Sequence, residues 1–244
     1  MKHINRIVIN IALAVLLSSI FNITMAKGLT NNQHLTDVAK QIERIAWHSL
    51  ADDFSWGYEL ETTLDKGDNK KQQRIQKFNP SLPSDAQWRL IEHQHQAPSQ
   101  QMLFEYAQTM AAIANEQSIT DEAKIIDINT LEYLKGTESQ SVYTFLPMLP
   151  MFDTEDANNF QGHLFVNNKT GDLDYLTISL TNSFSPELSI KLHRYDLKIL
   201  FLNEKSVIHV KKIESRKVGK LLFVSQFDEK STRLFSNFQH IPRF

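Results

Sequence analysis

Between residues 125 and 241 the chain alternates apolar segments with connections too short to carry a chain across a sheet. The segments fall near 125–134, 139–146, 160–166, 173–180, 188–202, 206–212, 220–227 and 234–241. Turn-forming runs separate them, notably Lys135-Gly136-Thr137-Glu138 and Asn167-Asn168-Lys169-Thr170-Gly171. Parallel neighbours need crossovers of about a dozen residues or more, so these segments pair antiparallel.

The first half adds two helices and a hairpin. Leu35, Val38, Ala39, Ile42, Ile45, Ala46 and Ser49 or Leu50 recur at helical spacing, with Asp37, Lys40, Gln41, Glu43 and Arg44 opposite. From Phe54 the period becomes two. Phe54, Trp56, Tyr58, Leu60 and Thr62 share one side of a strand, and Asp65-Lys66-Gly67-Asp68-Asn69 turns it back through Arg74-Ile75-Gln76-Lys77-Phe78. Asn79-Pro80-Ser81-Leu82-Pro83 stops that pairing, because proline has no N–H to give a ladder. A strand over 87–93 follows, carrying Trp88 and Leu90 on one face. Pro98 then suits the first turn of a second helix, whose apolar stripe is Met102, Leu103, Tyr106, Met110 and Ile113. The fold class is therefore α+β: a curved antiparallel sheet of about ten strands, an incomplete barrel, with two amphipathic helices as its lid.

Residues 1–26 have the form of a secretory signal peptide. Lys2 and Arg6 precede the apolar run 7–20, and Thr24-Met25-Ala26 places small residues at the cleavage positions. Asn10, Ser18, Ser19 and Asn22 interrupt the run, which falls short of the ~20 apolar residues that span a bilayer. Export to the periplasm, with residues 27–244 as a single half-barrel domain, is the resulting expectation. Cleavage removes two of the 26 cations and none of the 28 anions, so the mature chain carries 24 against 28, a formal charge near −4. Phosphate binding needs a positive footprint, and nucleic acid is an unsuited partner. The chain has no cysteine, which excludes structural disulfides, thiol nucleophiles and a lipidated cysteine anchor. The cluster Lys211, Lys212, Arg216, Lys217 and Lys220 around Gly219 reads as an exposed turn.

No pattern of catalytic chemistry stands out. G-x-S-x-G, P-loop and dinucleotide motifs are missing and no cofactor is implied. His93 and His95 would share a face of an extended strand, a spacing open to metal if Glu92 or a distant carboxylate supplied a third ligand; a polar strand exit explains them equally. Carboxylate pairs such as Asp52-Asp53 and Asp153 with Asp156 sit where helix starts and turns select acids. Aromatic and methionine side chains, by contrast, are spread over helices and sheet alike.

The ordered motifs leader, amphipathic helix, Trp56-Gly57-Tyr58, Phe78-Asn79-Pro80-Ser81-Leu82-Pro83, Gln87-Trp88-Arg89-Leu90 and Ala97-Pro98-Ser99 resemble a group of uncharacterised Gram-negative envelope proteins. That group in turn resembles the outer-membrane lipoprotein carrier and receptor (LolA/LolB-like) superfamily. The likeness extends over residues 35–244, including Tyr143-Thr144-Phe145-Leu146-Pro147 and Leu221-Leu222-Phe223. Asn79 stands where Asp is commoner, and His93-Gln94-His95-Gln96 replaces a glycine-containing turn. The resemblance implies an incomplete barrel with a helical lid that binds acyl chains, and it implies no catalytic residue.

The expected function is binding of a hydrophobic ligand, a lipid or a lipidated protein, without catalysis. Trp56, Tyr58, Trp88, Met102, Tyr106 and Phe145 are the expected lining. The alternatives are an envelope interaction or sensor module, using a sheet edge or the loop 147–156, and a hydrolase whose site converges only in three dimensions.

Overall fold

The computed structural model describes residues 34–46, 54–67, 71–83, 85–115, 125–149, 152, 155–204, 207–221 and 225–242. The leader, Trp47, Ser49, Leu50, Met151 and Phe223 lie outside the described residues. Two compact units divide the chain, Met1–Lys40 and Gln41–Phe244. Of the first, residues 34–40 are described, and all are helical. This helix, α1, ends at residue 43 inside the second unit.

The second unit is built on one sheet. Its strands are β1 (Ile45–Ala46), β2 (Phe54–Asp65), β3 (Lys71–Phe78), β4 (Trp88–His93), β5 (Glu132–Gly136), β6 (Gln140–Phe145), β7 (Phe160–Asn167), β8 (Leu173–Leu180), β9 (Phe184–Glu187), β10 (Ile190–Glu204), β11 (Val207–Leu221) and β12 (Ser225–Pro242). Ten of them follow the order β4-β3-β2-β12-β11-β10-β8-β7-β6-β5, while β1 pairs with β11 and β9 with β10. Every pair is antiparallel except β1–β11. The curved sheet is an open half-barrel, since β4 and β5 end the path instead of pairing with each other. The second helix, α2, spans Gln100–Asn115.

Alternation positions the core. On one face of the β6–β10 region, Leu176 is paired with both Leu164 and Ile199, and Ile178 with both Gly162 and Leu197. Leu164, Leu173, Leu176, Ile178 and Ile199 are all 0% exposed, each worth ~1.5–3 kcal/mol of burial. Phe152 reaches back from the 147–156 loop to stack on Phe160 at 5.0 Å and meets Phe184 at 5.4 Å edge-on. The described part of that loop is thus stapled to the core through Phe152, with Pro147 and Leu149 also buried.

Four local expectations are corrected. Helical spacing runs to residue 50 in the sequence, but α1 stops at 43, and Ile45-Ala46 pair in parallel with Ile208-His209. Once a neighbouring edge offers ladder partners, tertiary pairing overrides a weak local preference. Gly219 is not a turn residue: β11 runs unbroken through it, carrying the segment expected at 206–212 on to Leu221, while the described part of the segment expected at 220–227 is divided between β11 and β12. A Cβ at Gly219 would lie 2.4 Å from the Lys191 carbonyl oxygen, so close backbone approach explains the glycine. The basic residues around it are consequently strand residues. Lys212 meets Glu214 at 2.7 Å and Arg216 meets Asp228 at 2.6 Å, which lowers the Asp228 pKa through a charge-assisted hydrogen bond.

Third, the 125–134 segment splits. Ile126 makes a single bridge to Pro147, a 3-10 turn (Ile128–Thr130) capped by Asp127 follows, and β5 begins only at Glu132. Fourth, α2 starts later than Pro98 would place it. The Met102 N–H donates to Ser99 Oγ at 3.2 Å, making Ser99 the cap and leaving Pro98 just outside.

Candidate ligand-binding face

The register of β2, β3, β4 and β12 assembles aromatic rings from four strands on one face. Tyr58 is opposite Phe78, Phe78 is opposite Trp88, and Leu60 is opposite both Gln76 and Phe235. Directly opposed residues of an antiparallel pair point to the same side. Tyr58 is the hub: its ring lies 5.1 Å from Phe78, 5.8 Å from Trp88, 5.5 Å from Phe235 and 6.3 Å from Phe238. Phe78 and Trp88 are 4.9 Å apart. Each such pair adds ~0.5–1.5 kcal/mol beyond its buried area. Tyr58 is buried, whereas Trp88 and Phe78 are half-exposed.

A bulge extends this cluster. Between Ser236 and Gln239 the β12 register slips, with Asn237 at φ 54 and its side-chain amide donating to Glu59 at 2.8 Å. The extra residues aim Phe238 onto the His209 imidazole, stacked at 4.3 Å. Trp56 then closes the group edge-on, 4.6 Å from His209 and 5.0 Å from His240, its register partner.

His209 is a buried polar group, 1% exposed. Burial pushes its pKa down, opposed by Glu204, whose carboxylate lies 3.8 Å from Nε2. That separation is too long for a hydrogen bond, and Nε2 has no hydrogen-bond partner among the described residues.

Helix α2 lays Met102, Tyr106 and Met110 along one stripe at i, i+4 and i+8, all half-buried. Leu103 and Phe104 beside them are exposed, Phe104 to 63%. Tyr106 is tied to the sheet: the Gln76 Nε2 of β3 donates to its hydroxyl at 2.6 Å. Desolvation raises the Tyr106 pKa, and the Gln76 hydrogen bond and the Arg74 charge pull it back.

Of the six residues the sequence proposes, Trp56, Tyr58 and Trp88 belong to one continuous set of ring contacts, and Met102 and Tyr106 share the helix stripe joined to it through Gln76. Phe145 is set apart. It is on β6, separated from β2 by five strands of the sheet path, and its ring covers Gly162 of β7. Sequence reasoning missed Gln76, Phe235, Phe238 and His209. Gln76 was within reach: two residues before Phe78, it shares the face that Phe78 defines. Phe238 was not, because a bulge breaks the alternation that would place it.

The two histidines proposed for metal part company. β4 ends at His93, and Gln94 and His95 adopt φ 51 and 60, closing a tight turn with an isolated bridge between His93 and Gln96. His95 is left exposed, 3.7 Å from Glu92. Left-handed backbone at two successive residues removes the extended geometry that would have put both imidazoles on one side. Among the described residues, no three histidine, aspartate or glutamate side chains are grouped for a metal, and no helix is long and apolar enough to cross a membrane.

The architecture is that of an open antiparallel half-barrel with an aromatic face and a tethered helix. Among solved structures, a crystal structure of a LolA superfamily protein from Nitrosomonas europaea aligns over 86% of this chain and 92% of its own, with 13% identity and a TM-score of 0.33. No protein-family model matches the chain, and no curated protein does.

Proposed function

We propose that the protein is an exported, periplasmic, non-catalytic binder of a hydrophobic ligand, a lipid or a lipidated protein, held against the β2–β3–β4–β12 face beneath α2. The observation that carries this reading is the Tyr58 cluster. Rings from four strands converge on one face, and the helix tied to it through the Tyr106–Gln76 hydrogen bond carries Met102, Tyr106 and Met110 half-buried along one stripe. Methionine and aromatic side chains are adaptable apolar walls, and each buried methylene of an acyl chain is favoured by ~0.8 kcal/mol. The lining set is Trp56, Tyr58, Trp88, Met102 and Tyr106, with Phe145 as a second, separate patch. The leader pattern in residues 1–26 and the resemblance of the sequence motifs to lipoprotein carriers support the same reading.

Native mass spectrometry of protein purified from its own envelope tests it. Co-purifying lipid, released when Tyr58 is replaced by alanine, is the expected result. Protein free of lipid, with no saturable uptake of an environment-sensitive naphthalene dye, rejects it.

The second reading, an interaction module, is favoured by β5. All five of its residues are exposed, Tyr133 and Leu134 to 44% and 48%, and among the described strands one side of β5 has no partner. Free edges are templates for strand addition. A photo-crosslinker at position 134 that captures an envelope protein, in a chain that takes up no dye, would favour this reading over lipid binding.

A further inference from the structure

Among the described residues two polar side chains are buried, His209 and Gln76, and Gln76 lies on β3 between the rings, 3% exposed. Its register neighbours are Leu60 on β2 and Leu90 on β4, and Phe78 shares its side of β3 two residues on. One end of its carboxamide is satisfied by the Tyr106 hydroxyl, but Oε1 has no hydrogen-bond partner among the described residues. An orphaned buried acceptor loses its hydration without gaining a partner, and leucine would fill the same place at no such cost. Arg74 stands two residues along the same side of β3, nearer the hairpin turn, and is exposed. The face is therefore graded, from rings at Tyr58, Phe78 and Trp88 through an amide at Gln76 to a cation at Arg74.

Resting on the lipid-binding reading above, we propose that Gln76 Oε1 is a ligand-binding acceptor: it selects amphiphiles whose polar end carries a hydrogen-bond donor, a hydroxyl or an amide N–H, while the hydrocarbon lies on the rings. A purely apolar chain, or one ending in an ester or ether, leaves the oxygen unpaired. A donor-bearing head satisfies it in a site where water competes poorly. Specificity built this way is stronger than shape alone gives, because the wrong ligand strands a buried polar group. Tyr106 fixes the amide plane and is a positioning residue for this contact.

The experiment compares two probes that differ at the donor: 1-dodecanol, and 1-methoxydodecane, which keeps the oxygen and loses the hydrogen. Both are titrated against a bound naphthalene dye on the full mature chain. The alcohol is expected to bind about tenfold tighter. In Gln76→Leu the ratio is expected to fall to about one, with circular dichroism reporting that the variant is folded. Equal binding of the two probes by the unsubstituted protein overturns the acceptor role and leaves the lipid-binding reading standing, and this comparison does not depend on any variant folding. A preference that persists in Gln76→Leu overturns the assignment to Gln76. Failure of both probes to displace the dye overturns this inference together with the reading it rests on.

Discussion

The ring of Phe145 lies over Gly162, its register partner on the next strand, so closely that a Cβ at position 162 would fall 2.4 Å from the ring carbons. Phe145 is 3% exposed and Gly162 is buried. The glycine is there to make room for the ring, and the pair substitutes for two ordinary side chains in the β6–β7 core.

Gly162→Ala is therefore expected to destabilise the protein by ~1–3 kcal/mol, the usual cost of overpacking a filled core. Urea unfolding measures it. The double variant Gly162→Ala/Phe145→Leu is expected to recover part of the loss, whereas additive losses would show that the ring and the glycine do not share space.

Tyr58 gives a second expectation, because four rings surround it. Tyr58→Ala removes the hub and leaves a cavity among Phe78, Trp88, Phe235 and Phe238, at ~3–5 kcal/mol by the precedent of large aromatic truncations. If the cluster also forms the ligand face, dye uptake falls in conditions where circular dichroism still reports a folded sheet.

The tie between α2 and the sheet is testable separately. Tyr106→Phe keeps the ring but removes the acceptor for Gln76 Nε2, a net loss of ~1 kcal/mol. Since the bond joins a helix to an edge hairpin, the effect is expected to be local: amide exchange in Gln100–Asn115 speeds up while the β8 and β10 amides exchange as before. Uniform acceleration would mean that α2 and the core open as one unit.

What the sequence makes legible follows from which forces are local. The β2–β3 hairpin is readable because Trp56, Tyr58 and Leu60 alternate and Gly67, at φ 75 with its N–H donating to Asp65 Oδ1, is the kind of residue its turn needs. The same reasoning places Trp56, Tyr58 and Trp88 on inward faces. It fails at Gly219, where the glycine is set by Lys191 and Phe227 on two neighbouring strands, and at Ile45-Ala46, where a helical period yields to pairing with Ile208-His209. It fails at His95 because left-handed backbone in a four-residue turn leaves no periodic mark. Register slips are equally silent, so Phe238 and the His209 contact it makes emerge only in three dimensions.

His209 gives stability a pH dependence with a defined sign. It is buried between Phe238 and Trp56, and desolvation lowers its pKa in the folded chain, with the Glu204 charge opposing. His163 is shifted the same way, by burial and then by Lys135. The unfolded chain, whose histidines titrate near ~6.5, thus takes up protons before the folded one as pH falls. The stability these neutral imidazoles contribute is complete above about 6.5 and declines as pH drops towards their lowered folded-state values. Urea midpoints are accordingly expected to decrease between pH 7.5 and pH 5.5. His209→Leu is expected to reduce that slope and His163→Gln to reduce it further, because each removes a proton that the unfolded chain binds in preference. An unchanged slope in His209→Leu would mean that the Glu204 charge already holds the imidazole near its ordinary value.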